Sequence, residues 1–322
     1  ASRELVRHVR RTRDAFDFFV FFSYRYYHAW HGARTAPAKA VLVPTAERDP
    51  AIGLSIFPPV FRGVRAIMYN SLEERALIEG AAGRTLPGIV VGVGSEIPGR
   101  TEPARFRQKF GITRPFAIYI GRIDVNKGCR ELFTFFERYA TRHPSGLDLV
   151  LVGSNHMPIP AHPRIRHVGF LNDQDKFDAL AGADLLIMPS PFESLSMVAL
   201  EAWALGKPVL ANGQCDVLRG QAVRSRAGLY YETFEEFAEG LYSLESSGPL
   251  AAPLGANGRE FFQRHYAWPV IERKYLDTFE RLKREPAGAA MEPLPGFLGR
   301  RRRTALPGRE VLETLPSGAV IG

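Results

Sequence analysis

The chain has 322 residues, 45% hydrophobic and 24% charged, with a formal net charge of +8. That composition excludes a disordered polypeptide, and the length implies about two domains at roughly 150 residues each. The charge is concentrated at the ends, with residues 1–13 at net +4 and 286–322 at net +2, so the body carries only +2; no basic face or module for nucleic acid is indicated.

No apolar run approaches the ~20 residues needed to cross a bilayer. Two cysteines, Cys129 and Cys215, make neither a disulfide framework nor a metal site. This fits a reducing cytoplasm. The basic ends offer peripheral contact with an anionic inner-membrane surface, the simpler alternative being that they are only solvated.

The chain opens on Ala1 within a basic amphipathic segment, SRELVRHVRRTRDAF (2–16), with no Met and no signal peptide. Short aliphatic runs then alternate with helical patterns. Strands are predicted at 17–22, 39–44, 64–69 and 88–93, then at 115–120, 147–152, 164–168, 184–188, 207–211 and 228–231. Helices are predicted at 71–80, 128–141, 173–181, 196–205, 233–246, 254–265 and 268–284. Continuous Val/Ile/Leu strands alternating with helices belong to parallel sheets covered on both faces.

Residues 98–115, PGRTEPARFRQKFGITRP, break the pattern with Pro, Gly and charge and read as a link between two α/β domains. The first, 1–100, begins late and reads as truncated, with FDFFVFF (16–22) left as an apolar edge prone to association. The second, 101–267, has a full strand set. A helix at 268–285 follows, and the Pro/Gly/Arg-rich tail 286–322 reads as disordered. Its RRRR run (300–303) is either a targeting or anion patch or a solvated stretch.

Two stretches carry chemistry. In YIGRIDVNKGCREL (119–132) a strand ends at Gly121, a loop carries Arg122 and Lys127, and a helix begins near Gly128. Ligands of open parallel sheets bind beyond strand carboxyl ends, and helix N-termini present free N–H groups to anions. Arg122 and Lys127 would add a forked and a compact cation to one diphosphate. The alternative is a surface ion pair with Asp124. VVGVGSEIPG (90–99) lacks the glycine spacing of a dinucleotide fingerprint and reads as a turn.

The second stretch is PSPFESLSMVALEAWALGKPV (189–209). Two glutamates enter a nearly all-apolar helix region, where charges are rare unless paired or used. Glu193 falls in the loop and Glu201 one to two turns into the helix. At ~100° per residue they would lie roughly 80° apart if one helix held both, so they reach different parts of one elongated ligand. A structural acid bonded to backbone or Arg is the competing reading.

An aromatic cluster, SYRYYHAWHGAR (23–34), follows the first strand. Tyr24, Tyr26 and Trp30 are candidates for stacking on an acceptor sugar, or else form a packing cluster. His28 and His31 lack a third ligand, so no metal site is expected.

GRIDVNKG, then HVGFLND (167–173), then the glutamate segment occur in one order. This set resembles the carboxyl-terminal donor domain of retaining glycosyltransferases of family four, which have the GT-B fold, over roughly residues 60–284. The resemblance implies two Rossmann-like domains facing a cleft. It implies that Glu193 and Glu201 are that family's paired glutamates, and that Arg122 and Lys127 bind the diphosphate beside Gly121. Gly169, Phe170 and Leu171 would meet the nucleotide base, and Ser194, Leu195 and Ser196 would line the donor site.

The chain departs from the family in three places. No Gly-rich loop precedes residue 17. Glu47, Arg48 and Asp49 stand where many members carry a His, which makes Glu47 an acceptor-side candidate. Ser194 and Ser196 replace glycines.

The function so implied is retaining transfer of a sugar from a nucleotide-sugar donor to a sugar, lipid-linked or small-molecule acceptor, in glycan or cell-envelope synthesis. Glu193, Arg122 and Lys127 would be the catalytic group, with the protein's own cations in place of a metal and no cofactor beyond the donor. A sugar-nucleotide epimerase of the same fold and a non-catalytic nucleotide-sugar binding module are the alternatives.

Overall fold

Two parallel sheets hold all ten strands of the computed structural model, which describes residues 2–144, 146–246, 248–287, 291–293 and 308–313. The first sheet has the order β1 (Phe19–Phe22), β2 (Ala40–Val43), β3 (Ala66–Tyr69), β4 (Gly88–Val90). The second contains β5 (Phe116–Ile120), β6 (Asp148–Val152), β7 (Ile165–His167), β8 (Leu185–Met188), β9 (Val209–Asn212) and β10 (Gly228–Tyr231), in the order β10-β9-β8-β5-β6-β7. Every residue of β2, β3, β5, β8 and β9 is buried. Helices therefore cover both faces of each sheet, which is why these strands carry no polar alternation.

The second sheet sets the position of the site. Its order reverses between β8 and β5, and a reversal of this kind opens a crevice beyond the strand carboxyl ends. The loop after β5 carries Arg122 and Lys127, and the loop after β8 carries Glu193.

Helices appear at 72–82, 129–142, 173–182, 197–204, 234–246, 248–265 and 268–284, within a few residues of the predicted ones apart from the longer start at 248. The basic amphipathic segment at the start is helical over Ser2–Thr12, and four further helices were not anticipated: Tyr27–Thr35, Pro58–Gly63, Pro103–Phe110 and Asp216–Ser225. Pro103–Phe110 corrects the reading of 98–115 as a plain link. Pro103 sits at the start of the helix, where its missing N–H is no loss. Arg105 and Lys109 then bind Asp175 at 2.8 and 2.7 Å, and Phe106 is buried, so this helix packs on the second domain.

The helix Trp268–Arg284 returns to the first sheet. Phe279 stacks on Phe18 with centroids 5.4 Å apart, and Arg65 donates to the carbonyls of Leu282 and Glu285, each at 2.7 Å. Within the expected disordered tail, Glu292 accepts a forked hydrogen bond from Arg62 at 2.5 and 2.6 Å, and Gly308–Glu313 is helical. The RRRR run, with the rest of 294–307, lies outside the described residues, as do 288–290 and 314–322.

Candidate active site

The loop after β5 is shaped by Asp124. Its carboxylate accepts from the backbone N–H of Lys127 at 2.9 Å, capping a single 3-10 turn (Val125–Lys127), and also accepts from Arg122 Nε. Burial raises the Asp124 pKa, but these hydrogen bonds outweigh it and hold the carboxyl below its ordinary value. The surface pair considered for Arg122 and Asp124 therefore exists, and the guanidinium remains half exposed.

Gly128 follows with φ of +74°, and a Cβ there would meet the Pro189 carbonyl oxygen at 2.1 Å. Only glycine lets the β5 loop approach the end of β8 this closely.

That approach brings the two motifs together. Lys127 Nζ donates to Glu193 Oε1 at 2.8 Å across the two loops. Ser196 caps the next helix, α8 (Met197–Ala204), by accepting from the Ala199 N–H at 3.2 Å. Its hydroxyl is thus structural, while other first-turn N–H groups keep no helical partner. Ser194 lies half-buried in the loop and Leu195 packs into the core.

Glu201 lies in the second turn of α8 and is 6% exposed. Its Oε1 accepts from Lys176 Nζ at 3.0 Å and from Ser95 Oγ at 3.1 Å, while the buried Oε2 has no hydrogen-bond partner. A buried carboxylate oxygen without a donor is costly unless a ligand supplies one. Nothing in the spacing of the sequence singled out Lys176 or Ser95, because they lie on other segments. After β7, Gly169 has φ of +82° and its carbonyl accepts from Gly153 N–H at 2.9 Å. Phe170 is 84% exposed and Leu171 packs against the core. Gly121 ends β5, its N–H donating to Val152 O at 2.9 Å.

The first domain contributes the loop after β2. Ser23 and Thr45, at the ends of β1 and β2, both have positive φ (64° and 47°), and Thr45 Oγ1 donates to Ser23 Oγ at 2.7 Å. A β-branched residue held there is a site of strain. Glu74 fixes the same loop, accepting from the N–H groups of Ala46 and Asn70, each at 2.5 Å. Burial pushes the Glu74 carboxyl up to about 8 against these two hydrogen bonds. The loop directs Glu47 towards the second domain. Burial raises its carboxyl pKa, Lys127 lowers it and Glu193 raises it further.

The aromatic candidates do not join this group. Tyr24 is 2% exposed and packs edge-on against Phe57, so it belongs to the core. Trp30 donates its indole N–H to Ile56 O at 3.1 Å and packs on the same core. Tyr26 is 58% exposed and stacks on His28. A cavity of about 490 Å³ opens instead between the loop after β2, the start of the helix Leu72–Ala82 and the loop holding Glu193. None of the three aromatics lines it, although Ala46 and Arg48, the neighbours of Glu47, do.

Residues 114–246 match the family of glycosyl transferases group 1. They contain Gly121, Arg122, Lys127, Lys176, Glu193 and Glu201, whereas Ser95 lies outside them. Among curated proteins, the chain is 22% identical over 193 residues to a glycosyltransferase of Methanocaldococcus jannaschii, covering 56% of this chain and 48% of the relative. It is 25% identical over 192 residues to mannosylfructose-phosphate synthase of Agrobacterium fabrum, covering 54% and 42%. The matched stretch thus spans about half the length of these curated relatives. Among solved structures, Anabaena HepE in complex with UDP aligns over 86% of this chain and 82% of its own, with 18% identity and a TM-score of 0.73. That likeness shows the fold: two Rossmann-like domains facing a cleft, the GT-B arrangement.

Proposed function

We propose that the chain is a retaining glycosyltransferase that moves a sugar from a nucleoside-diphosphate donor to an acceptor hydroxyl. The observation that carries this reading is the Lys127–Glu193 contact of 2.8 Å, formed where the strand order reverses, with the bare Oε2 of Glu201 eight residues further along the same segment. Lys127 and Arg122 meet the charge that grows on the diphosphate as the glycosyl bond breaks, aided by first-turn N–H groups of α8. Glu201 Oε2 accepts from the ribose hydroxyls, Phe170 packs on the base, and Glu193 accepts from hydroxyls of the donor sugar.

The acceptor oxygen attacks C1 from the side the phosphate leaves. The C1–O bond to phosphate breaks, the new C1–O bond forms, and the acceptor proton passes to a phosphate oxygen. The relatives named glycosyltransferase and synthase, and the UDP held by HepE, support this reading. Its test is incubation with UDP-, GDP- and ADP-sugars and an acceptor panel, with the product's anomeric configuration read by NMR. Inversion, or release of epimerised free sugar without an acceptor, would defeat it.

Cytoplasmic placement with peripheral membrane contact belongs to the same proposal. Leu5, Phe16, Val20 and Phe22 are exposed around one groove beside the arginines of the Ser2–Thr12 helix. Among the described residues no helix is long and apolar enough to cross a membrane. Co-sedimentation with anionic but not neutral vesicles is the expected result.

A further inference from the structure

The cavity beside Glu193 has a chemistry of its own. Its walls carry four carboxylates, Glu73, Glu74, Glu193 and Asp216. Among the described residues lining it, Arg48 is the one cation, and Arg48 is held by Asp216 at 2.6 Å. The other acids are also engaged: Glu73 with Arg224 at 2.9 Å, Glu193 with Lys127, and Glu74 with two backbone N–H groups. Each engaged carboxylate still keeps lone pairs for further donors. Phe192, 44% exposed, and Leu77 supply an apolar surface in the same cavity.

Resting on the donor assignment above, we infer that this cavity is the acceptor subsite and that it takes a hydroxyl-rich sugar without phosphate or carboxylate groups. Sugar hydroxyls donate to carboxylate oxygens, and the C–H face of a pyranose packs on an aromatic ring. At about 490 Å³ the cavity lies in the size range of small-ligand sites. A phosphate placed there would meet no uncommitted cation among the described lining residues, because Arg48 is already held by Asp216, and leaving water for carboxyl oxygens with no such partner is unfavourable for an anion. The subsite therefore selects against anionic acceptors, while anion binding stays with Arg122 and Lys127 on the other side of Glu193.

The test compares matched acceptor pairs in the presence of whichever nucleotide sugar the chain binds: hexoses and disaccharides against the same sugars bearing a 6-phosphate. The neutral member should react with a kcat/KM at least about tenfold higher, a modest effect for desolvating an anion with no free cation to receive it. Phe192→Ala should raise the acceptor KM severalfold. Equal or better use of the phosphorylated member, no transfer to either member despite donor hydrolysis, or an unchanged KM in Phe192→Ala would overturn the acceptor assignment alone. Failure to bind any nucleotide sugar would instead overturn the donor assignment beneath it.

Discussion

Lys127 Nζ lies 2.8 Å from Glu193 Oε1, joining the loop after β5 to the loop after β8. The ammonium thus faces two demands, the carboxylate it holds and the diphosphate assigned to it. A donor that draws Lys127 towards phosphate would leave Glu193 free for sugar hydroxyls, so one contact couples the two halves of the donor.

The glutamates should therefore separate in their effects. Glu193→Gln should keep or slightly improve nucleoside-diphosphate affinity, because a competitor for Lys127 is gone, while slowing transfer. Glu201→Gln should weaken the nucleoside diphosphate itself by about 1.5–3 kcal/mol, the range for hydrogen bonds to charged groups. Calorimetry on both variants, with transfer rates beside it, checks the split. If both merely lower the melting temperature with affinity intact, the acids are structural.

Glu74 gives a pH prediction. Its carboxyl is raised from 4.5 to about 8, first by burial, with backbone hydrogen bonds opposing. A raised acid is protonated more readily in the folded state, so its contribution to stability is full below about 4.5 and is lost as pH rises through about 8. Denaturant melts of the wild type should lose stability over that window relative to Glu74→Gln, which cannot titrate. A constant difference between the two would show that the carboxyl is already ionised throughout.

Two ion pairs bridge the domains, Arg48–Asp216 at 2.6 Å and Arg224–Glu73 at 2.9 Å. The first is exposed and the second partly buried. Exposed pairs contribute about 0–1 kcal/mol and are screened, the Debye length being about 3 Å at 1 M salt. Asp216→Asn should change little, whereas Arg224→Ala should widen the cleft, seen as a larger radius of gyration in small-angle scattering. Identical scattering from Arg224→Ala and wild type would show that this pair does not set the domain spacing.

The sequence made all ten strands legible, because buried parallel strands are continuous aliphatic runs, as in FAIYI and LLIM. It was less clear for Tyr27–Thr35 and Asp216–Ser225, whose aromatic or mixed compositions lack a clean apolar stripe. Of the candidate site, the meeting of Lys127 with Glu193 was legible, since both stand in short motifs at strand ends.

What could not be read was whatever depends on packing between distant segments. Lys176 and Ser95 meet Glu201 from other parts of the chain, and Glu74 reaches back to Ala46. For Tyr24 and Trp30 the sequence left sugar stacking and a packing cluster both open for the same reason, since nothing local showed that Phe57 and Ile56 would meet them.

The measurement that bears most directly on the central claim is calorimetric titration of the wild type and Lys127→Ala with UDP, GDP and ADP. At least one nucleotide should bind the wild type with one-to-one stoichiometry, and Lys127→Ala should lose about 1.5–3 kcal/mol of that affinity. Absence of binding by all three, or equal affinity in the variant, would contradict the assignment of the β5–β8 crevice as a nucleotide-sugar site.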